Sequence, residues 1–170
     1  GIAKKKGITI RWSKDTADIP LFYCLLQQTA TRQKIVLHAK NHYRHILEIL
    51  GKKDAAALII GTFKKTPIAA NLVTFFGDTA TYLHGGTDAT KRSLMAPYLL
   101  QWETIKEAKR RGCLYYDLGG CAVTRGKIAE WRGITRFKQG FGGELAQFGE
   151  TYDVVFDRKW YWVYKFSKKL

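Results

Sequence analysis

The chain predicts an α+β fold: a mixed, mostly antiparallel sheet with one long helix packed on it. Three observations carry this. Three β-rich segments follow one another between residues 55 and 84 with only turn residues between them, which reads as an antiparallel meander. A long amphipathic segment comes next, with Leu94, Tyr98, Trp102 and Ile105 along its apolar face. A short strand after that helix makes the sheet mixed.

In chain order, residues 8–12 alternate apolar and polar and read as the first strand. Residues 13–18 offer helix caps, and 19–31 read as a helix that tolerates Pro20 in its first turn. A second helix covers 40–50, with Tyr43, Ile46, Leu47 and Leu50 at helical spacing and Gly51 as its stop. The meander strands are 55–63, 68–76 and 79–84, joined by Lys64-Lys65-Thr66-Pro67 and by Gly77-Asp78. The long helix runs over 94–110. Lys106, Lys109, Arg110 and Arg111 crowd its C-terminal end, where the macrodipole favours cations, and Gly112 terminates it. A strand at 114–118 halts at Gly119-Gly120, and a basic, glycine-spaced loop runs on to Gly133. A short helix is expected from Ile134, then strands at 144–148 and 152–156, then an aromatic helix at 160–166. Residues 1–156 read as one domain and 157–170 as an aromatic tail. With four aromatics among residues 160–164, that tail is expected to dock on the domain or on a partner domain.

The composition supports a packed core. Of 170 residues, 46% are hydrophobic and 14% aromatic, which excludes disordered and low-complexity classes. No apolar run approaches the roughly 18 residues needed to span a bilayer, and no apolar stretch follows the basic N-terminus to make a signal peptide. The first residue is Gly1, so the chain reads as processed or cut from a longer one. Cys24, Cys113 and Cys121 are odd in number and lack CxxC spacing, which argues against a disulfide framework or a cysteine zinc site and for a reducing cytosol. Lys plus Arg number 29 against 14 Asp plus Glu, a net charge of +15. Such a charge keeps a protein soluble, and on one small domain it also points to an anionic partner: RNA, a nucleotide phosphate or an anionic membrane face.

Several segments can carry chemistry. The entry to the long helix reads Lys91-Arg92-Ser93-Leu94-Met95-Ala96-Pro97-Tyr98. The element order resembles the acyltransferase fold known as GNAT, where this position holds a glycine-spaced pyrophosphate loop for acyl-CoA. Here Met95 and Pro97 stand where the glycines would be, and Pro97 lacks an N–H donor, which counts against CoA. Residues 134–144 hold Arg136, Phe137, Lys138, Gly140, Phe141, Gly142 and Gly143. They imply either a tight backbone around a charged group or a plain glycine-rich turn. His38, His42 and His45 are spaced for one helix face, open to a metal but without an acidic or cysteine ligand in the segment, so that a solvated or phosphate-contacting basic face is favoured. No Ser–His–Asp or Cys–His spacing suggests a covalent intermediate.

The run Phe137-Lys138-Gln139-Gly140-Phe141-Gly142-Gly143-Glu144 resembles the Fem transferases, which build peptidoglycan interpeptide bridges. Residues 81–86 (Thr-Tyr-Leu-His-Gly-Gly), 95–103 (Met-Ala-Pro-Tyr-Leu-Leu-Gln-Trp-Glu) and 116–120 (Tyr-Asp-Leu-Gly-Gly) are similar to the same family, in the same order. The resemblance implies an aminoacyltransferase that moves an amino acid from aminoacyl-tRNA to the stem-peptide amine of a lipid-linked or UDP-linked muropeptide. It implies no cofactor beyond aminoacyl-tRNA as co-substrate, and a cytoplasmic protein that can work at the inner face of the membrane. Fem proteins usually pair two GNAT-like domains; this chain looks like the second plus the tail, with the first absent.

On that resemblance Lys138 meets the acyl-tRNA ester and Phe137 supplies a wall or backbone contact, while Tyr82 faces the substrate. His84 is a base or a fold-positioned polar residue. Asp117 orients a group, accepts a proton, or caps the Gly119-Gly120 turn. Tyr43 is core or substrate wall, and Tyr98, Arg136 and Gly140 complete the candidate substrate-binding set. Two other functions stay open: an acyl-CoA-dependent GNAT N-acyltransferase, and a non-catalytic module binding tRNA or cell-wall precursor.

Overall fold

A computed structural model of the chain describes residues 2–121, 128–147, 149 and 152–167. Helix α1 (Ile2–Lys5) and strand β1 (Thr9–Ser13) come first. A 3-10 turn at Thr16–Asp18 then leads into α2 (Ile19–Gln33), and α3 (Lys40–Gly51) follows. The meander is β2 (Ala56–Phe63), β3 (Thr66–Phe76) and β4 (Thr79–Thr87). A 3-10 segment at Ala89–Leu94 leads into α4 (Ala96–Arg110), then β5 (Tyr115–Asp117), α5 (Ile128–Gln139) and α6 (Arg158–Ser167).

The five strands form one sheet in the order β1-β2-β3-β4-β5, antiparallel except for the parallel β4/β5 pair. This is the mixed sheet expected, and it is covered on both faces. Leu58, Ile60, Ala70 and Leu72 pack under α2 and α3 against Phe22, Tyr43 and Leu47. Ile59, Ala69, Val73 and Ala80 pack under α4 against Leu99, Leu100 and Ala108. Burial on both faces explains why β2 and β3 read as near-continuous apolar runs rather than strict alternation.

The long helix begins two residues later than expected. Met95 takes a left-handed φ of 60°, the residues before it coil into the 3-10 segment, and Pro97 falls in the first helical turn, where its missing N–H costs nothing. At the chain's basic loop the sequence expectation is corrected: α5 already holds Ile128, six residues before Ile134, because one interior glycine such as Gly133 costs a helix only about 1 kcal/mol. Part of the expected loop, 122–127, lies outside the described residues. The two expected late strands are also corrected. The described residues of 144–148 and 152–156 form no strand, and Leu145, Tyr152, Val154, Val155 and Phe156 are exposed. Alternation alone does not make a strand without a sheet edge to pair with; Phe148 lies outside the described residues. The aromatic helix forms, but Trp160, Trp162, Val163, Tyr164 and Phe166 are exposed rather than docked on this domain. Tyr161 is tied to the preceding segment, its hydroxyl donating to Asp153 Oδ2 at 2.7 Å.

Candidate functional site

Where β5 ends, β4 continues. The last β4/β5 pair is Thr81 with Asp117, so from Tyr82 to Thr87 β4 keeps β3 on one side but has no strand on its β5 side among the described residues. Into the space past Asp117 open the C-terminal half of α2, the entry to α4 and the C-terminal half of α5. Together they enclose a cleft of about 810 Å³, whose walls include Tyr82, His84, Tyr98, Phe137 and Lys138. Five of the nine candidate residues thus meet in one place, although they are scattered over 57 positions from Tyr82 to Lys138.

A bulge in β4 arranges two of them. Val73 pairs with Tyr82 and Leu72 with His84, so Leu83 is the extra residue. One extra residue reverses the facing of a strand. Tyr82 therefore shares the α4 side of the sheet with Val73, and His84 shares the α2/α3 side with Leu72. The Tyr82 hydroxyl folds back over Gly85, beside Asn71, in space that a side chain at residue 85 would fill. Burial pushes the Tyr82 phenol up to about 12, so it is a proton donor at neutral pH. The His84 ring stands edge-on to Tyr43 with centroids 5.1 Å apart. Burial holds its pKa below the ordinary value, with His38 and His42 adding to the effect.

Lys138 is the chemically distinctive group. Helix α5 carries it inward, leaving it 7% exposed. Its Nζ donates to the Gly120 carbonyl oxygen at 2.8 Å. Burial lowers its pKa from the ordinary lysine value, while Cys121 and Asp117 pull the other way. One residue along, Phe137 packs edge-on to Tyr98 with centroids 4.8 Å apart, and Phe141 completes a three-ring cluster at 5.9 Å from Tyr98 and 5.4 Å from Phe137.

The other candidates stand off the cleft wall. The Asp117 Oδ1 accepts from Gly119 N at 2.6 Å, capping a turn that Gly119 enters with φ of 73°; of its open readings this is the one the geometry shows. Tyr43 is fully buried behind His84, packed against Phe22 and Tyr23 in the α2/α3 layer. Arg136 is exposed on α5, and Gly140 follows the helix, its N–H donating to the Arg136 carbonyl at 3.1 Å. The glycines after Lys138 terminate α5 rather than wrapping a charged group: Phe141 N donates to Lys138 O, and Gly142, at φ 75°, donates to Gln139 O. Among the described residues no three His, Cys, Asp or Glu side chains group as a metal site. His38 and His42 do stack, with centroids 4.4 Å apart, and the third histidine near them is His84, not His45.

Sequence reasoning missed Arg32 on the cleft rim, because a cation in the last turn of a helix carries no signal of its own. Arg92, noted in the sequence only as a basic residue of the α4 entry, lines the same rim.

The profile of the FemAB family matches residues 52–169. Lipid II:glycine glycyltransferase of Staphylococcus epidermidis is 28% identical over 94 residues, which are 55% of this chain and 23% of that protein. The chain thus spans about a quarter of the length of the curated relatives it matches. Among solved structures, FemX superposes with a TM-score of 0.75 at 17% identity over 83% of this chain and 51% of that one. A predicted acetyltransferase from Clostridium acetobutylicum, solved with acetyl-CoA, superposes at 0.63 with 13% identity, over 86% of this chain and 96% of that one. The fold is therefore the GNAT-like one expected from the sequence.

Proposed function

The chain belongs to the FemAB family, and from that premise we propose that it is the acyl-transferring part of an aminoacyltransferase acting on a peptidoglycan precursor, with aminoacyl-tRNA as the donor. The observation that carries this reading is Lys138, a nearly buried cation fixed by Gly120 on the wall of a cleft large enough for an aminoacylated nucleotide end. The stem-peptide amine attacks the ester carbonyl carbon. Negative charge builds on the carbonyl oxygen, and the Lys138 ammonium stabilises that charge more than it stabilises the neutral ester. The carbon–oxygen bond to the ribose then breaks, the amide forms, and the amine's proton passes through water to the departing ribose oxygen. No acyl-enzyme is needed. His84, held neutral by its burial, offers an acceptor on the cleft wall for that proton, and the protonated Tyr82 offers a donor.

The α4 entry supports tRNA over acyl-CoA. A pyrophosphate cradle needs close backbone N–H groups, and Met95 and Pro97 stand there instead. No described helix is long and apolar enough to cross a membrane; on this reading the protein works in the cytoplasm, at the inner membrane face when its acceptor is lipid-linked. The acceptor's remaining contacts fall to a first domain, in the portion of such proteins that this chain does not span.

Equilibrium binding and single-turnover transfer test the proposal. Charged tRNA should bind, and its amino acid should move to a lysine-containing muropeptide, with the chain joined to a first domain if it is inactive alone. Acylation that requires acyl-CoA and ignores charged tRNA would overturn it.

A further inference from the structure

Arg32 and Arg92 are 60 residues apart in the chain but share the rim of the cleft. Arg32 sits in the last turn of α2, and Arg92 in the 3-10 segment that leads into α4. Both are exposed. Three arginines elsewhere rest on carboxylates: Arg11 on Asp18, and Arg110 and Arg111 on Glu107. Neither Arg32 nor Arg92 has a carboxylate partner among the described residues; Arg32 makes only a long 3.5 Å approach to Thr29 Oγ1. The proton affinity of Arg32 is lowered by partial burial and then by the charge of Arg92. Two guanidiniums on one cleft rim without a counter-ion repel, and an anion between them removes the repulsion. A third cation lies close by, since Lys6 Nζ donates to the carbonyl of Ser93, the residue next to Arg92, at 2.7 Å.

The same cleft carries a π surface. Tyr98 is 40% exposed, and Phe137 and Phe141 brace it. A paired cationic rim and a braced aromatic face in one cavity match the two parts of a single-stranded nucleotide chain, a charged phosphodiester and a stacking base. Guanidinium forks suit phosphate oxygens better than a lysine point charge does.

We propose that Arg32 and Arg92 form a phosphodiester clamp that holds the backbone of a single-stranded 3′ RNA end while one of its bases stacks on Tyr98. The clamp rests on the aminoacyl-tRNA reading and extends it: it sets where the polynucleotide enters, so that the terminal ester reaches Lys138. An alternative source of the same chemistry is the pyrophosphate of a coenzyme or of a nucleotide-linked precursor, and the experiment separates them.

Fluorescence anisotropy with a short single-stranded RNA ending in CCA-3′ is the direct measurement, on the wild type and on Arg32→Ala, Arg92→Ala, the double variant and Arg32→Lys. Each alanine variant should weaken binding about tenfold at low salt and flatten the slope of log affinity against log salt by about 0.7. The double variant should lose less than the product of the two single losses if both arginines hold one phosphate. Arg32→Lys should keep the salt slope and lose part of the affinity. Melting profiles should stay native, because both side chains are exposed. Unchanged affinity and salt slope in the alanine variants would overturn the clamp, as would loss of coenzyme A or pyrophosphate binding with RNA binding intact. If the arginine variants bind RNA normally while Lys138→Ala still lowers transfer, the clamp fails and the transferase reading stands. If the wild type binds no RNA, both fall.

Discussion

The Lys138 ammonium reaches out of α5 to the carbonyl oxygen of Gly120, 2.8 Å away, and so fastens the helix to the turn that follows β5. One hydrogen bond leaves two of its protons for a substrate. The position is 7% exposed, so a charge developing beside it is poorly screened by water and the ammonium acts strongly on it.

Replacing Lys138 by Ala is therefore expected to lower aminoacyl transfer by about 10²–10³, the usual cost of losing one oxyanion donor. Lys138→Arg should recover only part of the rate, because a planar guanidinium does not fill the site of a tetrahedral ammonium. Single-turnover transfer alongside a melting curve checks this. A wild-type rate in the alanine variant would make Lys138 a purely structural tie between α5 and the Gly119-Gly120 turn.

Asp117 supports that geometry from outside the cleft. Its carboxylate caps Gly119 and favours the charged form of Lys138. Asp117→Asn keeps an oxygen acceptor for Gly119 N but removes the charge. The Lys138 pKa, already lowered by burial, should fall further, while the melting temperature changes little. Titration of the lysine by NMR, with selectively labelled side chains, reads this directly; an unmoved or rising Lys138 pKa would show that Asp117 acts on the turn alone.

The sheet and the long helix were legible in the sequence because their signals are local. Three β-rich runs separated by turns, and apolar residues at helical spacing, need no tertiary partner to be recognised. The cleft was legible in part, through the segments around Tyr82, Tyr98 and Lys138. What escaped depended on long-range placement. Residues 144–147 and 152–156 carry strand-like composition, yet the described structure gives them no sheet edge. Arg32 looks like any cation at a helix end until the fold brings it to the same cleft as Arg92. For Tyr43 the sequence leaves core and substrate wall open, because helical spacing shows an apolar face but not what covers it; the fold buries the ring against Phe22 and Tyr23, behind His84.

His84 gives a pH prediction with a fixed sign. Its folded-state pKa lies below the unfolded value near 6.5, so the unfolded chain binds the extra proton more readily between the two values. The stability contributed by the neutral imidazole is present above about 6.5 and is lost as pH falls through the folded pKa. His84→Gln, which cannot titrate, should flatten the acid limb of stability against pH. Urea unfolding at a series of pH values between 4 and 8 measures the slope, and equal slopes in the two proteins would refute the assignment.

The neighbouring glycines 85 and 86 should separate fold from site. At Gly86 an added methyl meets backbone: it collides with Leu26 N and Leu25 C and lies 2.7 Å from Leu25 O, so α2 itself would have to move off β4. Thr29 on the same helix also accepts no methyl-driven shift cheaply, because its Oγ1 takes the Thr87 N–H at 3.0 Å. Gly86→Ala is expected to destabilise the protein by about 1–3 kcal/mol or more, the range for overpacking a well-filled interior. At Gly85 the added methyl meets side chains instead, the Tyr82 hydroxyl and, at 2.7 Å, Asn71 Oδ1. The ring of Tyr82 can swing away toward the cleft. Gly85→Ala should therefore melt closer to wild type than Gly86→Ala does, yet impair transfer more at a temperature where both are folded, because the displaced tyrosine occupies substrate space. Thermal unfolding and single-turnover transfer on the two variants give the comparison. Equal melting temperatures, or a Gly85→Ala protein with undiminished transfer, would mean that Tyr82 does not shape the cleft.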